Sequence, residues 1–206
     1  GLTFAGLRAY CEAHGETAVW QTVGRYLCDL ARQTAEGRGL ILQGPTGTGK
    51  TGVLALVAEA ECLRYGALEP ITEAEVRYGG RRHHVQAITA VELADLLMIR
   101  GRDDGYVDSS ITELTYCDHL MIDDFGAEYM DAFALNRFYK LMDDRYTNRR
   151  CTHLTLNVDM QDYARSNANA ARIVSRLRQR SYVITLAGPD RRARLSAGAL
   201  EEVGFA

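Results

Sequence analysis

The feature that most constrains the fold is a glycine-rich octapeptide, Gly44-Pro45-Thr46-Gly47-Thr48-Gly49-Lys50-Thr51. It matches the phosphate-binding pattern G-x-x-x-x-G-K-[ST] and lies between an apolar run, Leu40 to Gln43, and an apolar segment that begins at Thr51. A strand, a tight turn and a helix in this order let backbone N–H groups and the positive helix terminus surround a phosphate. Lys50 is then expected to reach the β- and γ-phosphates, and the Thr51 hydroxyl to bind Mg²⁺. The motif predicts nucleotide binding.

The rest of the chain alternates between short apolar runs and segments with apolar residues at helical spacing. The predicted strands are Leu40–Gln43, Val85–Ile88, His119–Ile122, Cys151–Leu156 and Tyr182–Leu186. The predicted helices cover residues 16–35, 51–60, 90–99, 132–146 and 170–179, and residues 101–109 are predicted as a polar loop. Five strands alternating with helices indicate an α/β fold whose parallel sheet is covered on both faces.

Charge and cysteine content exclude several classes of protein. Lys and Arg total 24 against 27 for Asp and Glu, a net charge of −3, which excludes a strongly basic polyanion binder but not a local basic face. The five cysteines are scattered without a CxxC pair, which indicates reduced thiols in a cytoplasmic protein. His83-His84 makes a poor chelate, so we expect no structural zinc. No apolar run approaches the roughly 20 residues that span a bilayer, and no signal peptide is visible.

Two adjacent acids, Asp123 and Asp124, follow the third predicted strand. A carboxylate at the carboxyl end of a strand reaches the water shell of a nucleotide-bound metal, the role that we assign to Asp123. Asp124 is placed to polarise an attacking water, which favours hydrolysis over transfer to a bound acceptor. The alternative is that both acids only face solvent. GTPases are disfavoured because the chain has no N-K-x-D motif.

Two further polar residues are candidates for a role in hydrolysis. Asn157 follows the fourth strand, where its amide can orient the attacking water or touch the γ-phosphate; alternatively it is a turn residue. Arg176 lies on a basic predicted helix, and an arginine supplied by a neighbouring subunit can neutralise charge in the transition state. An arginine on a helix is more often solvated, so this assignment needs support from elsewhere.

That support comes from a family resemblance that extends from Thr3 to Arg192. The chain resembles the DnaC/DnaI-type helicase loaders and the related IstB-type transposition helper ATPases of the AAA+ class. The matching pieces are Thr3-Phe4, the P-loop, Ile122-Asp123-Asp124-Phe125-Gly126 with Glu128, the segment from Phe138 that ends Asp144-Arg145-Tyr146, Asn157, and Ser175-Arg176-Leu177. The resemblance implies a P-loop three-layer sandwich with strand order 5-1-4-3-2 and no helical lid. It also implies Asn157 as sensor 1, Arg176 as an arginine finger in trans, and ATP-dependent oligomers that hold single-stranded DNA.

We therefore expect one AAA+ domain over residues 1–206, with an N-terminal linker and helix (1–38), a surface insertion (65–84) and a C-terminal tail (187–206). The N-terminal partner-binding segment of the family is expected to be absent. Seven arginines and one acid between Arg172 and Arg194 could neutralise DNA phosphates, and Arg100 and Arg102 form a second candidate DNA contact.

The expected function is an ATPase that uses ATP and Mg²⁺, assembles on single-stranded DNA and loads a replicative helicase. The main alternative is an IstB-type transposition helper that binds duplex DNA and a transposase. Two other readings stay open: a monomeric P-loop kinase for a small metabolite, and an ATP-gated scaffold that does not hydrolyse ATP. The scaffold draws some support from Asp124, which stands where AAA+ proteins more often have Glu.

Overall fold

A computed structural model of the chain describes residues 3–65, 85–100, 104–126, 130–157, 159–165, 168–188 and 190. The helices are α1 (Phe4–Ala13), α2 (Thr17–Cys28), α3 (Leu30–Glu36), α4 (Lys50–Tyr65), α5 (Ala90–Met98), α6 (Asp104–Tyr116), α7 (Ala132–Thr147), α8 (Met160–Arg165) and α9 (Ala168–Gln179). The strands are β1 (Gly39–Gln43), β2 (Val85–Thr89), β3 (His119–Phe125), β4 (Cys151–Leu156) and β5 (Ser181–Thr185).

The strands form one parallel sheet in the order β2-β3-β4-β1-β5. This confirms the predicted α/β fold and the strand order 5-1-4-3-2. The phosphate-loop strand β1 pairs with β4 at Ile41–Leu154 and with β5 at Ile41–Val183. Because β4 lies between β1 and β3, residues that follow these three strands meet at one edge of the sheet.

The core lies on both faces of this sheet, because successive side chains of a strand point to opposite faces. On β1, Ile41 packs with residues of α5, α7 and α9, whereas Leu40 and Leu42 pack with residues of α1, α2 and α4. Phe138 of α7 and Val57 of α4 are fully buried on the two sides. A strand that is covered on both faces requires a continuous apolar run, which β1 has.

Several predicted elements differ from the observed ones. The single helix predicted over 16–35 is divided at Asp29 into α2 and α3, and the predicted N-terminal linker contains α1, which Thr3 caps by accepting a hydrogen bond from the Gly6 N–H at 3.1 Å. The predicted loop over 101–109 is wrong from Asp104 onward, where α6 begins. Burial of Val107 and Leu114 stabilises this polar helix, a tertiary effect that local composition does not reveal.

The short helix α8 was not predicted, and β3 extends past Ile122 to Phe125. The predicted insertion lies outside the described residues apart from Tyr65, as do Arg102, Glu128 and the tail beyond Asp190. In the part of the chain that the structure describes, every helix is too short or too polar to cross a membrane.

Candidate nucleotide-binding site

The glycine-rich loop connects the end of β1 at Gln43 to the start of α4 at Lys50. Its Gly44, Gly47 and Gly49 have positive φ angles of 144°, 82° and 91°, a backbone region that side chains disfavour. At Gly44 a Cβ atom would lie 2.0 Å from the carbonyl oxygen of Leu186. The loop therefore needs glycine both for its conformation and for its close approach to the chain that follows β5.

Lys50 places its ammonium group against this loop. Nζ donates hydrogen bonds to the carbonyl oxygens of Gly44, at 2.9 Å, and Pro45, at 2.8 Å. The Thr48 hydroxyl donates to the Pro45 carbonyl at 2.9 Å and fixes the same turn. The loop thus combines a positive charge with the amino end of α4, as an anion-binding turn requires.

Thr51 and Asp123 come together across the sheet edge. The Thr51 hydroxyl donates to Asp123 Oδ1 at 3.2 Å, although the two residues are 72 positions apart. A hydroxyl and a carboxylate are oxygen donors that suit Mg²⁺. The pair predicted from sequence as the magnesium contact thus fits that ion in chemistry and in position.

Asp124 and Asn157 also meet at this edge. The Asn157 side-chain amide donates to Asp124 Oδ1 at 3.1 Å. Asp124 has a φ angle of 57°, and the register between β3 and β4 shifts at this point, between Ile122 and Phe125. A local irregularity of this kind re-aims side chains at the end of a strand, and here it brings the Asp124 carboxylate to the Asn157 amide.

Thr155 joins these pairs and was not predicted as a site residue. Its buried hydroxyl accepts a hydrogen bond from the Asp124 backbone N–H at 2.8 Å and donates to the Asp123 carboxylate. Thr155 lies in β4, two residues before Asn157, which directly follows the strand. The two-residue spacing to Asn157 is the one sequence feature that could have indicated Thr155 as a site residue. A single threonine within a strand matches no known motif.

The loop and the acidic edge together enclose a cavity of about 240 Å³. Its lining combines the phosphate loop with the predicted hydrolytic residues: Thr46, Gly47, Gly49, Lys50, Thr51, Gly52, Asp124 and Asn157. The cavity thus brings together residues from three separate segments of the chain, each of which the sequence predicts to contribute to the site.

Arg176 is the predicted site residue that the fold places elsewhere. It lies in the last turn of α9, and the chain then enters β5, where the Arg180 carbonyl accepts from the Gly39 N–H at the start of β1. The phosphate loop follows the other end of β1, a strand of about 17 Å. The Arg176 guanidinium donates to the Asp143 carboxylate and, at 2.9 Å, to the Tyr139 hydroxyl.

A second cluster of titratable residues, Glu61, His119 and His153, lies buried, with its potential ligand atoms within 4.8 Å of one another. The Leu40 N–H donates to His153 Nδ1 at 3.2 Å, which leaves the imidazole proton on Nε2. That nitrogen lies 3.4 Å from His119 Nδ1, which is also 3.1 Å from the Glu61 carboxylate. Burial lowers the pKa of His153 to about 3, so this ring is neutral.

Comparison with known proteins identifies the family. A family model described as "IstB-like ATP binding protein" matches residues 25–199, which include the phosphate loop and all five strands. The chain belongs to this family. The IstB-like resemblance predicted from the motifs is thereby confirmed, and with it nucleotide binding of the AAA+ type. No curated protein matches the sequence.

Solved structures share the fold of this IstB-like chain. DnaI is 24% identical with a TM-score of 0.62, and the alignment covers 84% of this chain and 85% of that chain. The DnaC helicase loader is 19% identical with a TM-score of 0.58, over 83% and 89% of the two chains. The replication initiator DnaA bound to AMPPCP and single-stranded DNA is 16% identical with a TM-score of 0.58, over 90% and 50%.

Proposed function

We propose that the protein hydrolyses ATP in assemblies of several copies on single-stranded DNA, and that it loads a replicative helicase during DNA replication. The observation that carries the proposal is that the residues predicted to act in hydrolysis lie at two opposite ends of the sheet. One edge of the sheet holds the phosphate loop, both acids and Asn157, whereas Arg176 is held near the opposite end of β1. A role in replication implies a cytoplasmic protein.

Within one copy, each residue at the edge has a distinct task. The loop N–H groups and Lys50 bind the phosphates, and Thr51 and Asp123 would hold Mg²⁺. Bound Mg²⁺ neutralises charge that develops on the β- and γ-phosphates. Asp124 accepts the proton of the attacking water, and Asn157, which donates to the Asp124 carboxylate, keeps this acid and the water in line.

Arg176 completes the site of a neighbouring copy. Its own phosphate loop is separated from it by the length of β1, so it acts on a second protomer or on none. An arginine supplied in trans raises the rate of phosphoryl transfer by roughly 10³–10⁵-fold where this has been measured. Hydrolysis then depends on assembly, and DNA that aligns protomers promotes it.

The solved neighbours and the family name favour two different partners. A helicase loader and an initiator with single-stranded DNA are among the proteins of similar fold, which supports the replication role. The family description instead names IstB, which supports the second candidate, a transposition helper that binds duplex DNA and a transposase. The two candidates share the ATP site and differ in the form of DNA that promotes assembly.

The test is ATP turnover per protomer as a function of protein concentration, without DNA, with a long single strand, and with a duplex of the same length. We expect turnover to rise with concentration and the single strand to move this rise to lower concentration more strongly than the duplex does. A stronger effect of the duplex supports the transposition helper. Turnover that is independent of both concentration and DNA contradicts shared sites. The variant Asp124→Asn, which keeps the phosphate loop, gives the background rate.

A further inference from the structure

Two arginines of α9 and a third that directly follows it interleave with two tyrosines on α7. Arg172, Arg176 and Arg180 are four residues apart, so they form one row along the helix and its end. The guanidinium carbons of Arg172 and Arg176 lie 5.9 and 4.9 Å from the centroid of the Tyr139 ring. Those of Arg176 and Arg180 lie 6.0 and 5.1 Å from the centroid of the Tyr146 ring. Arg176 is the middle member and contacts both rings.

Arg176 also differs from its two neighbours in its polar partners. Among the described residues, it is the one arginine of the row that forms an ion pair, between Nε and the Asp143 carboxylate. Nη2 donates to the Tyr139 hydroxyl at 2.9 Å, and Nη1 donates to the Arg172 carbonyl at 3.4 Å. These bonds use three of the five guanidinium N–H groups and leave one on each terminal nitrogen, the pair that a bidentate phosphate contact needs.

We propose that Asp143 and Tyr139 are positioning residues, which hold the Arg176 guanidinium ready for the phosphates of ATP bound to a second copy of this chain. This inference rests on the proposed function. A free arginine side chain has many rotamers, and ordering it opposes binding. The carboxylate and the ring fix it before the protomers meet, so that assembly does not have to order this side chain.

The geometry distinguishes positioning from sequestration. A carboxylate that blocked the finger would occupy both terminal nitrogens, whereas Asp143 binds Nε, on the stem side of the group. The Arg176 side chain is 27% exposed and that of Asp143 38% exposed, so a partner can reach the guanidinium without unfolding of either helix. Removing Asp143 should therefore slow hydrolysis, whereas removing an inhibitory contact would accelerate it.

The experiment compares Asp143→Asn and Tyr139→Phe with the matched control Asp144→Asn, in ATP turnover at saturating ATP and single-stranded DNA. Asp144 is the adjacent acid of α7 and lines a different groove, against α6. We expect the turnover number to fall about 10-fold for Asp143→Asn, which loses an ion pair, and about 3-fold for Tyr139→Phe, which loses one hydrogen bond from the guanidinium to a hydroxyl. Asp144→Asn should behave as wild type, and Asp143→Glu should restore part of the rate.

Two further readouts separate positioning from a general structural role. The affinity of the isolated protomer for ATP and its melting temperature should change little in Asp143→Asn, because the nucleotide cavity is elsewhere. The double variant Arg176→Ala/Asp143→Asn should be no slower than Arg176→Ala alone. A further loss in the double variant would mean that Asp143 acts by another route, and the inference would be wrong.

Arg176→Ala distinguishes this inference from the function on which it rests. If Arg176→Ala turns ATP over at the wild-type rate, the shared-site function fails and the positioning role fails with it. If Arg176→Ala is slow while Asp143→Asn is as fast as wild type or faster, the shared site stands and only the positioning role is overturned.

Discussion

The two ends of the parallel sheet use similar polar residues for different purposes. At the carboxyl end, Lys50 and Asp124 line the nucleotide cavity, where Lys50 donates to two loop carbonyls and Asp124 accepts from Asn157. Toward the amino end, Arg145 and His153 are sealed in the core. Because Lys50 is also buried, the comparison teaches that access to the cavity, rather than residue type or burial alone, separates groups that are available for chemistry from groups that stabilise the fold.

Arg145 is the clearest example of a charged group that stabilises the fold. Its guanidinium donates to the carbonyl oxygens of Leu114, Thr115 and Cys117, to the Cys151 carbonyl and to the Thr152 hydroxyl. It therefore joins the end of α6 to the start of β4. Burial lowers the pKa of this guanidinium, which is shielded from solvent, whereas the Arg176 side chain is 27% exposed.

The largest change in stability is expected for Arg145→Met, which removes the buried guanidinium at the amino end of the sheet. The substitution keeps much of the apolar stem but leaves several buried carbonyl groups without a donor, each of which costs about 1–3 kcal/mol. We expect the free energy of unfolding to fall by about 3–5 kcal/mol in urea titrations. Arg178→Met, on the exposed face of α9, is the control and should stay within about 0.5 kcal/mol of wild type. Equal losses of stability in Arg145→Met and Arg178→Met would show that the buried hydrogen bonds of Arg145 do not stabilise the fold.

Lys50→Ala should give the opposite pattern. We expect affinity for ATP, measured by titration with a fluorescent nucleotide, to fall about 100-fold, because the phosphates lose their charged partner. The free energy of unfolding should fall by less than in Arg145→Met, because Lys50, although buried, donates to two carbonyl groups of one loop, whereas Arg145 joins several segments. Lys140→Ala removes the only other lysine and should leave affinity unchanged. If it weakened binding as much as Lys50→Ala, the assigned site would be wrong.

His153 predicts how stability depends on pH. Burial lowers its pKa to about 3 in the folded protein, against an ordinary value of about 6.5 in the unfolded chain. Below pH 6.5 the unfolded state therefore binds the extra proton, and stability that is fully present above that pH is lost as the pH falls. The expected slope rises from about 0.7 kcal/mol per pH unit at pH 6.5 to about 1.3 kcal/mol per pH unit at pH 5. Urea titrations of His153→Gln should show a shallower slope; an unchanged slope would exclude this histidine as its source.

The smallest effect is expected for Thr155→Val, which keeps the shape of the side chain but removes the hydroxyl between Asp123 and Asp124. ATP turnover at limiting Mg²⁺ should fall about 5-fold, as for one lost hydrogen bond. The Mg²⁺ concentration for half-maximal rate should rise, since the Asp123 carboxylate loses the group that orients it. Thr155→Ser retains the hydroxyl and should be close to wild type. A Thr155→Val enzyme with wild-type Mg²⁺ dependence would show that the hydroxyl does not orient the Asp123 carboxylate for Mg²⁺.

The same contrast explains what could be read from the sequence. Lys50 could be predicted from the phosphate-loop motif. Asp123, Asp124 and Asn157 could be predicted because each lies at the end of a recognisable strand, and parallel strands bring their carboxyl ends together. The contacts of Arg145 join segments about 30 residues apart with no pattern in either, and no sequence pattern marks them. Thr155 is hidden for the same reason. Arg176 could be selected only through a family resemblance, because a helical arginine has no local signature.

The central claim is that the ATP site is shared between copies, and one mixing experiment tests it most directly. Asp124→Asn keeps Arg176 but lacks the proposed base, whereas Arg176→Ala keeps the edge residues but lacks the arginine. Each variant alone should hydrolyse ATP slowly. We predict that turnover in mixtures on single-stranded DNA exceeds the sum of the separate rates and is highest when both variants are abundant. Turnover equal to that sum at every ratio would contradict the shared site.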